Sequence, residues 1–141
     1  IEIARMAGFS LLVMDAYRPQ KAQELLWHAC PRQDYVVPLS QGSNHSRGTA
    51  IDVTLTDAAG NILDMGTGFD EMNELSHPYH PALEQSVQRN RLLLNAVMFG
   101  GGFIGIKTEW WHFELPEAAG YPLIEDVFTC ISLAQTDGVL P

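Results

Sequence analysis

Residues 43 to 56, Ser-Asn-His-Ser-Arg-Gly-Thr-Ala-Ile-Asp-Val-Thr-Leu-Thr, constrain the fold of this chain more than any other stretch. From Thr49 to Thr56 the residues alternate in the strand manner, with Ile51, Val53 and Leu55 on one face and Asp52, Thr54 and Thr56 on the other. A strand with one apolar face belongs in a sheet that covers a core, and its second face is left to carry chemistry. Asp52 lies on that second face. Gly48 breaks any helix ahead of the strand, and His45 stands before the break. A reversal of the chain, not helical periodicity, must therefore bring the His45 imidazole to the Asp52 carboxylate.

A histidine and an aspartate need a third partner to hold a metal, and Glu109-Trp110-Trp111-His112 supplies one far downstream. Singly, each of these residues has an ordinary explanation: a half-buried histidine, a solvated acid. Together, His45, Asp52 and His112 form the two-His, one-carboxylate set that suits zinc and leaves a position open for water. Glu109 is then a non-ligating carboxylate able to take the water's proton. In a regular strand Glu109 and His112 have opposite parity, so a bulge or irregular backbone near Glu109 is expected, as is common beside active sites. Phe9 to Ala16 reads as a buried strand that delivers Arg18 to a corner before Pro19, the first residue of a helix. A cation there suits the oxyanion of a tetrahedral intermediate.

At 141 residues, with 46% apolar and 18% charged side chains, the chain is expected to be one domain with its own core over residues 1–141. The net charge of −9 disfavours a nucleic-acid partner, which would need a basic surface. No apolar run is long enough for a membrane span. Cys30 and Cys130 are the only cysteines, which argues against a disulfide framework and excludes a cysteine-rich zinc knot. Ile1 to Ala7 reads as the end of a helix already under way, so residues are expected to precede it. Oligomeric state cannot be read from these features.

Elsewhere the periodicity predicts a helix from Pro19 to about Ala29, with Ala22, Leu25, Leu26 and Ala29 inward and Gln23 outward. A loop follows from 32 to 44. Asp57 to Asn61 is a turn, with Ile62 to Met65 its hairpin partner. Gly66 to Glu71 is glycine-rich but lacks the lysine and spacing of a phosphate cradle, which leaves Asp70 as an acid on a loop. His77 and His80, with a proline between them, are expected to be surface or packing histidines. Pro81 to about Phe99 is the longest helix, buried through Leu83, Val87, Leu94, Val97 and Met98. Strands are predicted over Phe103–Ile106 and Glu109–Leu115.

Ser43-x-His45-x-x-Gly48-x-Ala50-x-Asp52, preceded by Asp15-Ala-Tyr-Arg18-Pro19 and followed by Glu109-x-Trp111-His112, resembles the zinc D-alanyl-D-alanine dipeptidases of the VanX type, in peptidase family M15. The resemblance covers residues 8 to 120. It implies an α+β fold with a central, mainly antiparallel sheet and flanking helices, shared with the hedgehog amino-terminal domain and D,D-carboxypeptidases. It also implies one Zn2+ per chain on His45, Asp52 and His112, with Glu109 as the base and Arg18 as the stabiliser of the intermediate. Ser43 and Asp70 would hold the ammonium end of a small dipeptide substrate. The source would be bacterial, the cytoplasm preferred to the periplasm. The family has further chain before the region where this sequence begins, including aromatic residues near the substrate. Two other functions fit the same residues: a D,D-carboxypeptidase trimming peptidoglycan peptides, and a non-catalytic zinc-binding module.

Overall fold

The computed structural model describes residues 1–29, 31 and 37–125. In chain order the elements are α1 (Glu2–Met6), β1 (Ser10–Asp15), α2 (Gln20–Ala29), β2 (Ala50–Thr56), a 3-10 turn (Glu74–Ser76), α3 (Gln85–Gly100), β3 (Ile104–Gly105), β4 (His112–Glu114) and a second 3-10 turn (Ala118–Gly120). The four strands form one open sheet in the order β1-β2-β4-β3, and every neighbouring pair is antiparallel. This is the expected α+β architecture. No helix among the described residues is long and apolar enough to cross a membrane.

The alternation read from 49 to 56 is realised in β2. Val53 and Leu55 face a core completed by Leu94, Val97 and Met98 of α3 and by Trp111 and Phe113 around β4. Because β2 is an inner strand, its polar face is covered too: Asp52 and Thr54 are as buried as Val53. A carboxylate in such a place has to be matched by partners.

Register sets the site. Asp15 of β1 pairs with Asp52 of β2, and Asp52 pairs with His112 of β4, so three chemistry-bearing residues form one row across the sheet. The row exists because β1 is irregular between Val13 and Asp15, where two steps along β1 match one step along β2. That bulge returns Asp15 to the face that carries Asp52.

Helix α2 runs where predicted, but with a different inner face. Gln23 is buried, whereas Ala22, Leu25 and Ala29 are exposed. The reason is polar: the Gln23 side chain accepts from Arg18 Nη1 at 3.0 Å and donates to the Val37 carbonyl. Helix α3 starts at Gln85 rather than Pro81, since residues 77–83 are held in successive turns, His80 N–H to the His77 carbonyl and Leu83 N–H to the His80 carbonyl. Its buried side includes Arg91, which stands where the 87-91-94-98 spacing calls for a core residue.

The hairpin partner expected over Ile62–Met65 shrinks to a single bridge, Thr56 to Ile62, and one further bond from Leu63 N–H to the Leu55 carbonyl. Gly66 then turns the chain with φ +78, and a Cβ on it would stand 2.8 Å from Val87 Cγ1. Both final strands are shorter than predicted. Glu109 to Trp111 lie outside β4, in an irregular approach to it, and this resolves the parity conflict between Glu109 and His112. Cys30, Cys130, residues 32–36 of the predicted loop, and the tail beyond Glu125 fall outside the described residues.

Candidate metal centre

The His45 turn is built from its own backbone. Gly48 N–H donates to the His45 carbonyl, Thr49 N–H to the Asn44 carbonyl, and Gly48 adopts φ +67, where a side chain would be strained. Ser43 Oγ accepts from His45 N–H at 3.2 Å. The turn is docked on the corner after β1: Arg18 N–H donates to the His45 carbonyl, and His45 Nδ1 lies 2.8 Å from the Ala16 carbonyl. A carbonyl only accepts, so Nδ1 carries the proton and Nε2 presents its lone pair.

His112 is oriented in the same way from the other side. Its Nε2 is 3.3 Å from Glu114 Oε2, and Asn44 Nδ2 donates to that same oxygen at 2.7 Å. With Nε2–H given to the carboxylate, Nδ1 turns its lone pair inward. The three inward atoms form a triangle: His45 Nε2 to His112 Nδ1 is 3.1 Å, His112 Nδ1 to Asp52 Oδ1 is 3.1 Å, and His45 Nε2 to Asp52 Oδ1 is 3.4 Å. Tetrahedral ligands on bonds of about 2.0–2.1 Å are separated by edges of about 3.3 Å. Both the donor set and its spacing fit a metal ion; His45 and Asp52 are buried, and the His112 side chain is 11% exposed. The outer hydrogen bonds to Ala16 and Glu114 are those that fix a ligating imidazole.

Glu109 Oε2 lies 3.9 Å from His112 Nδ1, at the edge of this triangle. Burial raises its carboxyl to about 7, the attraction of His112 opposing that rise and the charges of Asp52 and Asp70 adding to it. A cation held by the triangle pulls it down from there. Arg18 stands beside Asp52, with Nη2 3.8 Å from Asp52 Oδ2. Its guanidinium is held by Asp15, through Nε at 2.8 Å and Nη2 at 2.6 Å, and by Gln23.

These groups line one cavity of about 180 Å³ together with Ser43 and Asp70. Asp70 reaches it from a backbone with φ 59. Burial raises its carboxyl above the usual range, and the nearby Asp52 charge adds to this. An acid so placed gains from a cationic partner. All seven residues singled out in the sequence thus meet at one place, whereas His77 and His80 lie apart from the metal cluster. The sequence assigns no role to Asp15, Asn44 or Glu114, and its periodicity turns Gln23 outward. Glu114 was open to discovery, because it follows His112 by two in a strand and so shares its face.

Without a metal, the groups around the triangle favour a proton on the inward nitrogen of His112. Burial alone would lower the His112 imidazole, but its hydrogen bonds to Asp52 and Glu114 and the charges of Asp52 and Glu109 raise it to about 9. Burial alone would raise Asp52, but the hydrogen bond from His112, helped by the His45 imidazole beside it, brings it down to about 2. A raised histidine pKa contributes stability that is full below 6.5 and is lost as pH rises through about 9. Metal needs the same lone pair and must displace that proton. The rise in melting temperature on adding a divalent metal should therefore grow between pH 6.5 and about 9. Calorimetry with and without metal checks this, and an equal rise across that range would show that His112 carries no proton.

The sequence matches the peptidase M15 family model described as D-ala-D-ala dipeptidase over residues 1–133. It is 65% identical over 139 residues to a D-alanyl-D-alanine dipeptidase of Escherichia coli (strain K12), an alignment covering 99% of this chain and 72% of that protein. A D-alanyl-D-alanine dipeptidase of Enterococcus faecium is 35% identical over 133 residues, 81% of this chain and 66% of the relative. One from Streptomyces coelicolor is 32% identical over 135 residues, 82% of this chain and 67% of the relative.

Proposed function

Since the chain belongs to the D-Ala-D-Ala dipeptidases of peptidase family M15, we propose that it hydrolyses the peptide bond of D-Ala-D-Ala to two molecules of D-alanine with one zinc ion on His45, Asp52 and His112. The observation that carries this reading is the triangle of inward lone pairs with Glu109 Oε2 3.9 Å from one corner. Two imidazoles and one carboxylate suit zinc, which when bound supplies Lewis acidity to a water and to the scissile carbonyl.

The chain's own groups do the remaining work. The Glu109 carboxylate takes a proton from the attacking water as its oxygen bonds to the carbonyl carbon. It returns that proton to the departing nitrogen as the C–N bond breaks. Arg18, clamped by Asp15 and Gln23, lends its positive charge to the oxyanion between those events. Asp70 binds the substrate's ammonium, and Ser43 supports the same end.

The relatives favour the dipeptidase over a carboxypeptidase acting on wall peptides, since those reported above are D-alanyl-D-alanine dipeptidases, and the cavity of about 180 Å³ suits a small ligand. Zinc-loaded protein assayed side by side with D-Ala-D-Ala, L-Ala-L-Ala and a wall pentapeptide is expected to release alanine from the first alone. Comparable cleavage of the pentapeptide would reassign it as a D,D-carboxypeptidase. No turnover of any of them, with melting that collapses on chelation, would make it a zinc-binding module.

A further inference from the structure

Met65 to His77 form a loop between the end of the sheet segment and α3, and the two ends of that loop meet at one side chain. Arg91 of α3 is fully buried, at 0% exposure. Its Nε and Nη2 donate to the Met65 carbonyl, Nη1 donates to the carbonyls of Leu75 and His77, and Nη2 also donates to Thr67 Oγ1. Those are five bonds, as many as a guanidinium has N–H protons. Among the described residues none of these partners is a carboxylate. A core position needing only volume would be filled more cheaply by leucine or methionine, because a buried cation costs free energy unless its bonds are complete. At this position the guanidinium fixes the shape of the loop.

Two further contacts carry that shape to the metal centre. Thr67 Oγ1, already bonded to Arg91, accepts from Trp110 Nε1 at 2.9 Å. Phe69 packs edge-on against Trp111, with ring centroids 5.7 Å apart. Trp110 and Trp111 directly precede His112. At the loop's tip Asp70 keeps φ 59, a conformation that an aspartate holds only when its surroundings dictate it.

We propose that Arg91 is a positioning residue for the reaction: by clipping both ends of the 65–77 loop to α3 and, through Thr67, to the Trp110–Trp111 segment, it sets the distance between Asp70 and the His45–Asp52–His112 triangle. That distance acts as a ruler from the substrate's ammonium to the bond that is cut. The inference rests on the reading of Asp70 given above. It adds a second tier of residues, remote from the reacting atoms, that decides substrate length.

The test uses the metal-loaded full chain carrying Arg91→Lys, whose single ammonium cannot span both loop ends. Zinc content should stay at wild-type level, while amide hydrogen exchange over residues 66–74 speeds up by about tenfold and that of α3 does not change. KM for D-Ala-D-Ala should rise about tenfold with little change in kcat, and the preference for the dipeptide over D-Ala-D-Ala-D-Ala should narrow. Combined with Asp70→Asn, the KM effects should fall short of additive, since both variants remove one anchor. Unchanged exchange, a kcat loss at constant KM, or full additivity overturns the inference. If Arg91→Lys does not fold, Thr67→Val decides in its place, because it cuts the loop's hydrogen bond to Trp110 while leaving the carbonyl bonds and the stacking of Arg91 over the Trp110 ring, 5.8 Å from its centroid, intact; wild-type exchange and KM in that variant overturn the inference as well. Wild-type protein that leaves D-Ala-D-Ala uncut refutes the reading of the site, whereas fast exchange over 66–74 with a wild-type KM refutes the inference alone.

Discussion

Glu109→Gln is expected to keep its metal and lose kcat by about a thousandfold, the scale of a lost general base. The side chain is not part of the ligand triangle, so an amide of the same shape leaves His45, Asp52 and His112 as they are. It cannot accept the water's proton, and the neighbouring Glu114 does not replace it, being turned to His112 Nε2 and Asn44. KM should move little. The metal-free variant should also melt no lower than the parent at neutral pH. Burial raises the Glu109 carboxyl from 4.5 to about 7, so the folded protein disfavours its charge, and the amide removes a contribution that is lost as pH rises through that range. Metal analysis, steady-state kinetics and a melting curve on one preparation check all three. Near wild-type turnover would remove Glu109 from the mechanism.

Arg18→Ala is expected to lower kcat by about 10²–10³-fold, as removal of an oxyanion donor does elsewhere, with a smaller effect on KM. Arg18→Lys should recover little of this. The guanidinium is held by three directed bonds to Asp15 and Gln23, a fork that an ammonium cannot reproduce. Asp15 would lose its 2.6 Å partner in the alanine variant, beside a buried Asp52, so some loss of metal affinity should accompany the kinetic effect. Zinc titration separates the two: activity restored to wild type by excess metal would show that Arg18 supports the ligands rather than the reaction.

The residues that form the site were legible because each is announced by local chemistry. Gly48 marks the turn after His45, the alternation from 49 to 56 sends Asp52 to the polar face, and Pro19 places Arg18 at a corner. What could not be read was where long polar side chains would go. Gln23 and Arg91 both sit at inward positions of helices, and each is buried because distant backbone accepts its bonds, Val37 for one and Met65, Leu75 and His77 for the other. Hydrophobic periodicity carries no record of such partners, so Leu25 was expected inside and Gln23 outside. The start of α3 was misplaced for a related reason: Pro81 is a good first helical residue, but turns through His77 and His80 hold the chain until Glu84. The short β3 and β4 reflect tertiary demand, since the bend over Glu109–Trp111 buries two indoles at the expense of ladder pairing.

The row Asp15–Asp52–His112 joins three strands at a single rung of the sheet. A slip of one residue between β2 and β4 would send Asp52 into the core and offer Ile51 or Val53 to the cleft, so no partly slipped sheet retains a weakened version of the site. Metal stoichiometry in a refolded sample is therefore a census of molecules whose strands have found their partners, and it counts them one by one where circular dichroism would report only that strands are present.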